Sequence, residues 1–397
     1  MTRSYSSFDP SLGAALIQQA IARNDYWTAQ FLFDSSARLD LVNAANENIL
    51  HTLAKKASLG EFRDLATKIA LVTNINGQSD DGQTPIHDCI VSGNVELMKL
   101  IIEHRPNLGL QNGKGQTALR MALESNSEKA ARTLLDSGAD PTAPCTNTGD
   151  SIMHILVRQG KNRAAELLLE NGSPDLEHCN LAGESLIHTI IMKRNTALLR
   201  NVISKGIDIN TVMQDCENDG KTLGGSALHI ALNIEAFDCA ELLISTLNDK
   251  GMKTIVGDDE KHSALKLALS HNKHSIAEAL LELGADIDQV VDGDSLLIHA
   301  IEDKSESSCL FLLNNKADAN LGSPGRTPLT LAVVNNLDKV VEILCVRGAN
   351  KNAADADGSV PLWLALKHDL FNIAETLVAQ ERVLSGLFSD SLSYVFI

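Results

Sequence analysis

Five histidines, His51, His87, His154, His188 and His229, each stand three residues after an Asn, Ser or Thr, at separations of 36, 67, 34 and 41 residues. A row of imidazoles could ligate a metal or move protons. Metal ligation needs ligands about 2 Å from one ion, whereas side chains on successive packed helical layers are roughly 10 Å apart. The same position holds Arg120, Lys266, Ile298, Thr330 and Trp363 elsewhere, and His299 is displaced from it by one place. That mixture suits a structural brace, each His bonding a neighbouring turn. The seven cysteines (Cys89, Cys145, Cys179, Cys216, Cys239, Cys309 and Cys345) form no CxxC pair and read as reduced, apolar core fillers. GxSxG, GxxxxGK[ST] and GxGxxG are all missing, and the doublets Asp80-Asp81 and Asp258-Asp259 sit in turn-forming stretches. No catalytic, cofactor-binding or metal-ligating set is expected, no cofactor is implied, and an enzyme is not.

The elements that carry these histidines repeat. DGQTPIH, KGQTALR, TGDSIMH, AGESLIH and GGSALH align on Thr84, Thr117, Ser151, Ser185 and Ser226. The register continues through Ser263, Ser295, Thr327 and Val360, and upstream through Asn48 and Ala15, in steps of 32 to 41 residues. Eleven units over about residues 10 to 380 follow. In each, a hydroxyl or amide caps a first helix, with Pro85, Pro328 and Pro361 at its first position. A polar break leads to a second helix with paired leucines such as Leu134-Leu135 and Leu280-Leu281, closed at Gly138, Gly284 or Gly348. One such helix pair cannot bury both faces, so neighbours must stack.

Composition agrees. Of 397 residues 44% are hydrophobic and only 4% aromatic, which favours helices packed by Leu, Ile and Ala. The net charge of −17 argues against nucleic acid and against anionic membrane surfaces as direct partners. The N-terminus has no apolar signal core and no stretch reaches 18 apolar residues, so a cytoplasmic protein is expected.

The TPLH-like starts and GADxN-like ends resemble the ankyrin repeat over most of the chain. The resemblance implies an all-α solenoid at residues 10–380 with a non-repeat tail at 381–397, its finger tips and first helices lining a concave face. Closer similarity, to the rabankyrin family of endosomal effectors, rests on KHSALKLALSHNKHSIAEALLELGADI, VDGDSLLIHAIEDKSESSCLFLLNNKADAN and DADGSVPLWLALKHDLFNIAETLV. PLWLAL carries it best, because Trp363 replaces the repeat His. Insertions at 211–224 and 248–261 fall where that family has long loops. The resemblance implies a protein scaffold in endosomal trafficking, recruited to endosomes, with a Rab-type GTPase and a membrane-remodelling ATPase as partners. The family's BTB domain and Cys-rich FYVE finger have no counterpart here, and RVLSGLFSDSLSYVFI leaves the repeat pattern. A fragment or short form is therefore expected, binding neither zinc nor phosphoinositide.

Residues seven and eight past each cap, which the ankyrin resemblance points into the groove, are joined by the finger residues just before each cap, Asp294 among them, and by neighbouring Arg194. They place basic Arg158, Lys193 and Arg194, with Gln159, near apolar Met192 and Ile234, and an acidic set of Asp294, Glu302 and Asp303 some units on. These are the candidate partner-binding residues. The alternative is a regulatory or targeting subunit of a cytosolic enzyme with no endosomal role. A third reading makes the chain a substrate hydroxylated at Asn320, because Leu312 lies eight residues before Asp318-Ala319-Asn320.

Overall fold

The computed structural model describes residues 13–35, 41–142, 148–218, 221–249, 263–323 and 325–387, with backbone only at 214–218, 221–224 and 380–387. Within these residues, twenty-two α-helices form eleven consecutive pairs. The first pair is Gly13–Ala22 with Tyr26–Asp34. Each later repeat is named here by the residue that caps its first helix.

Those caps are Asn48, Thr84, Thr117, Ser151, Ser185, Ser226, Ser263, Ser295, Thr327 and Val360, the positions expected from the signature. Asn48, Thr84, Ser185 and Thr327 make reciprocal capping boxes, each closing two of the donors that a helix start leaves unmet. Val360 has no side-chain oxygen to do this, and Pro361 follows it at the first helical position, where a missing N–H costs nothing. Nine residues past the cap the backbone turns left-handed in nearly every repeat, at Gly93, Asn126, Gly160, Arg194, Glu235, Asn272, Lys304, Asn336 and Asp369. That turn folds the second helix against the first.

Second helices add their paired leucines to the core. Leu134, Leu168, Leu280, Leu312 and Leu313 are fully buried, each contributing on the order of 2 kcal/mol. Leu281 is only half-buried, so the leucines of a pair are not equivalent. Cys89, Cys239, Cys309 and Cys345 are buried free thiols, and burial pushes Cys309 up to about 12, which keeps it protonated and unreactive. Cys179 is free and exposed.

The chain separates into two compact units, Met1–Lys193 with Ala197–Asp208, and Arg194–Thr196 with Ile209–Ile397. In each, first helices of successive repeats pack on one another. The fold is a stack of helix pairs with two small hairpins added. One is the finger Val290–Val291 paired with Asp294–Ser295, whose central Asp292 and Gly293 both take positive φ, the geometry of a tight hairpin turn. The other corrects the expected loop at 211–224: Val212–Asn218 pairs antiparallel with Lys221–Ser226 and runs directly into the Ser226 cap. The final helix, Phe371–Leu387, crosses the expected boundary at residue 380. Cys145, Asp258, Asp259, nearly all of the 248–261 insertion and the last ten residues fall outside the described residues.

Candidate functional site

The repeat histidines are braces built into the caps. The backbone N–H of Thr84 donates to His87 Nδ1 at 3.3 Å, and the ring's Nε2 lies 3.1 Å from the carbonyl of Gln116 in the next finger. A carbonyl only accepts, so Nε2 carries the proton and Nδ1 is the acceptor. His51 bonds Gln83 O at 3.1 Å and His154 bonds Glu184 O at 3.3 Å by the same arrangement. His188 and His229 sit against the Ser185 and Ser226 hydroxyls at 2.9 and 2.6 Å. Burial pushes His51, His87 and His154 below the ordinary imidazole value, keeping them neutral near neutrality. Among the described residues no group of three or more His, Cys, Asp or Glu could hold a metal ion. His299, one place off the row, bonds Val291 O at 2.8 Å in the finger of its own repeat.

A second polar system joins neighbouring repeats on the face made by fingers and first helices. Three positions recur: the finger residue just before a cap, the residue seven past it, and the finger residue of the next repeat. In the Ser151 repeat these are Asp150, Arg158 and Glu184, and the guanidinium of Arg158 bonds both carboxylates, Asp150 at 2.5 Å. In the Ser295 repeat they are Asp294, Glu302 and Arg326, with the guanidinium now on the next finger, 3.1 Å from Asp294 and paired with Glu302. Two carboxylates meet one fork in both. In the Thr117 repeat, Gln116 and Arg120 both bond Glu124, at 2.5 and 3.0 Å. A guanidinium shared between two acids is geometrically specific in a way that a single surface pair is not.

The structure therefore changes how the expected partner-binding residues read. Arg158 is not an unengaged charge but the centre of an ion-pair triad, and Asp294 and Glu302 both pair with Arg326 in the same way. Gln159 donates to Glu124 at 3.3 Å. Arg194 occupies the left-handed turn, and its guanidinium donates to the carbonyl of Ile234 within the second unit. Lys193 and Asp303 are exposed, while Met192 and Ile234 are half-buried. Arg158, Met192 and Lys193 belong to the first unit, and Arg194, Ile234, Asp294, Glu302 and Asp303 to the second. Sequence reasoning named the fingers and helix ends separately and missed that they pair. The signal was present in the register, one residue before a cap and seven after.

Asn320 is exposed at a finger tip, where its amide donates to Gly348 O at 3.1 Å and accepts from the Asn350 N–H at 2.7 Å. Leu312, eight residues earlier, is fully buried, so any enzyme reading both must first open the repeat. No helix among the described residues is long and apolar enough to cross a membrane.

Comparison with known proteins places these repeats. A family model described as ankyrin repeats (3 copies) matches residues 57–145, 187–291 and 296–385. The chain is 31% identical over 158 residues to the B-cell lymphoma 3 protein homolog of Mus musculus, covering 38% of the chain and 34% of that protein. It is 32% identical over 154 residues to Rabankyrin-5 of Mus musculus, covering 35% of the chain and 13% of that protein. The B-cell lymphoma 3 protein of Homo sapiens is 26% identical over 316 residues, covering 78% of the chain and 52% of that protein. The chain thus spans from about an eighth to about half of these relatives' lengths.

Proposed function

Because the chain belongs to the ankyrin-repeat family, we propose that it is a non-catalytic scaffold that holds partner proteins on the face of its fingers and first helices. The array of residues 10–380 is the binding element in this reading. Endosomal trafficking, as an effector of a Rab-type GTPase and beside membrane-remodelling factors, is its biological setting. The observation that carries the setting is the 32% identity to Rabankyrin-5 over 154 residues. Arg158, Gln159, Met192, Lys193, Arg194, Ile234, Asp294, Glu302 and Asp303 remain the proposed contact residues, with Asn320 as a proposed hydroxylation site. Charged members act by steering encounter more than by tightening the complex.

The test is capture of endosomal Rab GTPases by the purified chain, each loaded with GTP analogue or GDP. Retention of one GTPase in its GTP form alone supports the reading, and equal or absent retention in both forms removes it. A second reading, a regulatory or targeting subunit without an endosomal role, is favoured by the longer similarity to the human B-cell lymphoma 3 protein. Isolation of a single stoichiometric enzyme with no GTPase would favour that one.

A further inference from the structure

The Asn48 repeat carries the same three positions as the two arginine triads, and there the arrangement is incomplete. Glu47 precedes the cap, Lys55 lies seven past it and Gln83 is the next finger residue, matching Asp150, Arg158 and Glu184 in order. Lys55 pairs with Glu47, whose other oxygen accepts from Asn43 at 3.0 Å. A lysine is a single charged point, whereas an arginine fork spans two acceptors. Where Arg158 reaches on to Glu184, Lys55 goes no further, and the buried Oε1 of Gln83 has no hydrogen-bond partner among the described residues.

Asp88 adds an independent observation. It lies on the first helix of the Thr84 repeat, 9% exposed, and its buried Oδ2 also has no hydrogen-bond partner among the described residues. Its electrostatic neighbours are Lys55 and Glu47. Three residues on, and so on the same side of the helix, Val91 is 75% exposed. Each buried acceptor left unmet is costly, and Val91 gives Asp88 an open apolar shoulder. The internal triads show which group fills this geometry.

We propose that the Glu47–Lys55–Gln83–Asp88 cluster is a binding site for an arginine side chain of a partner polypeptide, whose guanidinium bonds Gln83 and Asp88 while its methylene stem lies on Val91. The partner completes in trans what Arg158 completes within the chain. Long cationic side chains bury their stems on apolar surface in this way. Burial pushes the Asp88 carboxyl up to about 6, with Glu47 adding to the rise and Lys55 opposing it, and an incoming guanidinium would bring it back down. This site depends on the repeat architecture alone and stands or falls apart from any endosomal role.

The experiment titrates the full chain with the capped tripeptide acetyl-Leu-Arg-Leu-amide, with its citrulline and lysine counterparts as controls, followed by calorimetry or saturation-transfer NMR. The expected result is saturable millimolar binding of the arginine peptide, at least about tenfold weaker for citrulline, which keeps the shape and loses the charge. Lys55→Arg should close the site with the chain's own guanidinium, raising the melting temperature and abolishing peptide binding. Asp88→Asn, which keeps the volume, should weaken binding by about tenfold, and Gln83→Glu, which recreates the Glu184 position, should strengthen it. Absence of saturation, equal binding of the citrulline peptide, or binding indifferent to Lys55→Arg and Asp88→Asn would each overturn the assignment. None of these outcomes bears on GTPase capture, so the two proposals fail separately.

Discussion

The first and second units hold the same junction between repeats with different chemistry. In the first, His51, His87 and His154 reach from their own caps to the carbonyl of the next finger. In the second, after His229, the position passes to Lys266, Ile298, Thr330 and Trp363. Thr330 bonds only within its own cap, donating to Thr327 O at 2.8 Å, and Ile298 is fully buried and apolar. Lys266 reaches Asp292 in the next finger by an ion pair of 2.9 Å. The first unit couples these repeats through buried imidazoles, whereas the second, past His229, uses an ion pair, a hydroxyl and apolar side chains. The helix pairs are held in common; the stitching between them is free to vary.

The largest effects should be indifferent to this contrast, because apolar packing is shared. Leu280→Ala should cost about 2–5 kcal/mol, and Leu281→Ala, half-buried, under about 1.5 kcal/mol. Chemical denaturation followed by hydrogen exchange should show the loss concentrated in the Ser263 repeat and its neighbours. Equal costs for the two leucines would break the account of the second helices.

Charge reversal comes next. Arg158→Glu in the first unit and Arg326→Glu in the second each gather three carboxylates where two shared a fork, so both should lower the melting temperature, Arg158→Glu more because Asp150 is nearly fully buried. Melting curves in low and high salt check this, with salt recovering part of each loss. A silent Arg158→Glu would return that residue to a purely steering role.

The brace itself should separate the units. His87→Ala removes a buried ring with bonds to two repeats and should cost about 2–3 kcal/mol, against about 1 kcal/mol for Thr330→Ala. Exchange protection measured repeat by repeat distinguishes them, the His87 loss spreading into the Thr117 repeat and the Thr330 loss staying in its own.

Acidification sharpens the same contrast. His51, His87 and His154 are held below the ordinary imidazole value of 6.5, so the unfolded chain takes up protons first. Their contribution is fully present above that value and is lost as the pH falls through the folded values. Asp88, raised from 3.8 to about 6, acts in the opposite sense: the folded state binds its proton more tightly, and its penalty is relieved on acidification. Exchange at pH 7 and pH 5 should therefore show loosening at the His51 and His154 caps, with the response offset around Asp88 itself.

Much of this was legible in advance, for reasons particular residues make plain. A cap is a local decision, made by one hydroxyl or amide against the N–H groups of the next turn, so Asn48 and the eight Ser and Thr caps could be read in register. The histidine brace was legible as a brace because its replacements include Ile298, which can neither ligate nor bond. The ion-pair triads were not read, since each reaches into a neighbouring repeat, across 24 to 32 positions, and needs the fold to bring finger and helix end together. The hairpin at Val212–Ser226 was read as a loop because its sequence, with Gly224 and Gly225 and charged residues between, has weak strand character. Asp88 looks like any helical carboxylate until its burial and missing partner are seen.

The left-handed turn nine residues past the cap carries one more consequence, for redesign. Its φ stays between 52° and 74° whether the residue is Gly93, Arg194, Glu235 or Lys304, so the conformation is imposed by the helix pair and not chosen by the side chain. Glycine adopts it without cost, whereas Glu235 and Lys304 hold it at about 1 kcal/mol each. Glu235→Gly and Lys304→Gly should therefore each raise the melting temperature by a small, additive step while leaving the cap and ion-pair residues untouched. The array carries, at these turns, a reserve of unrealised stability that an engineer could draw on without redrawing its recognition surface.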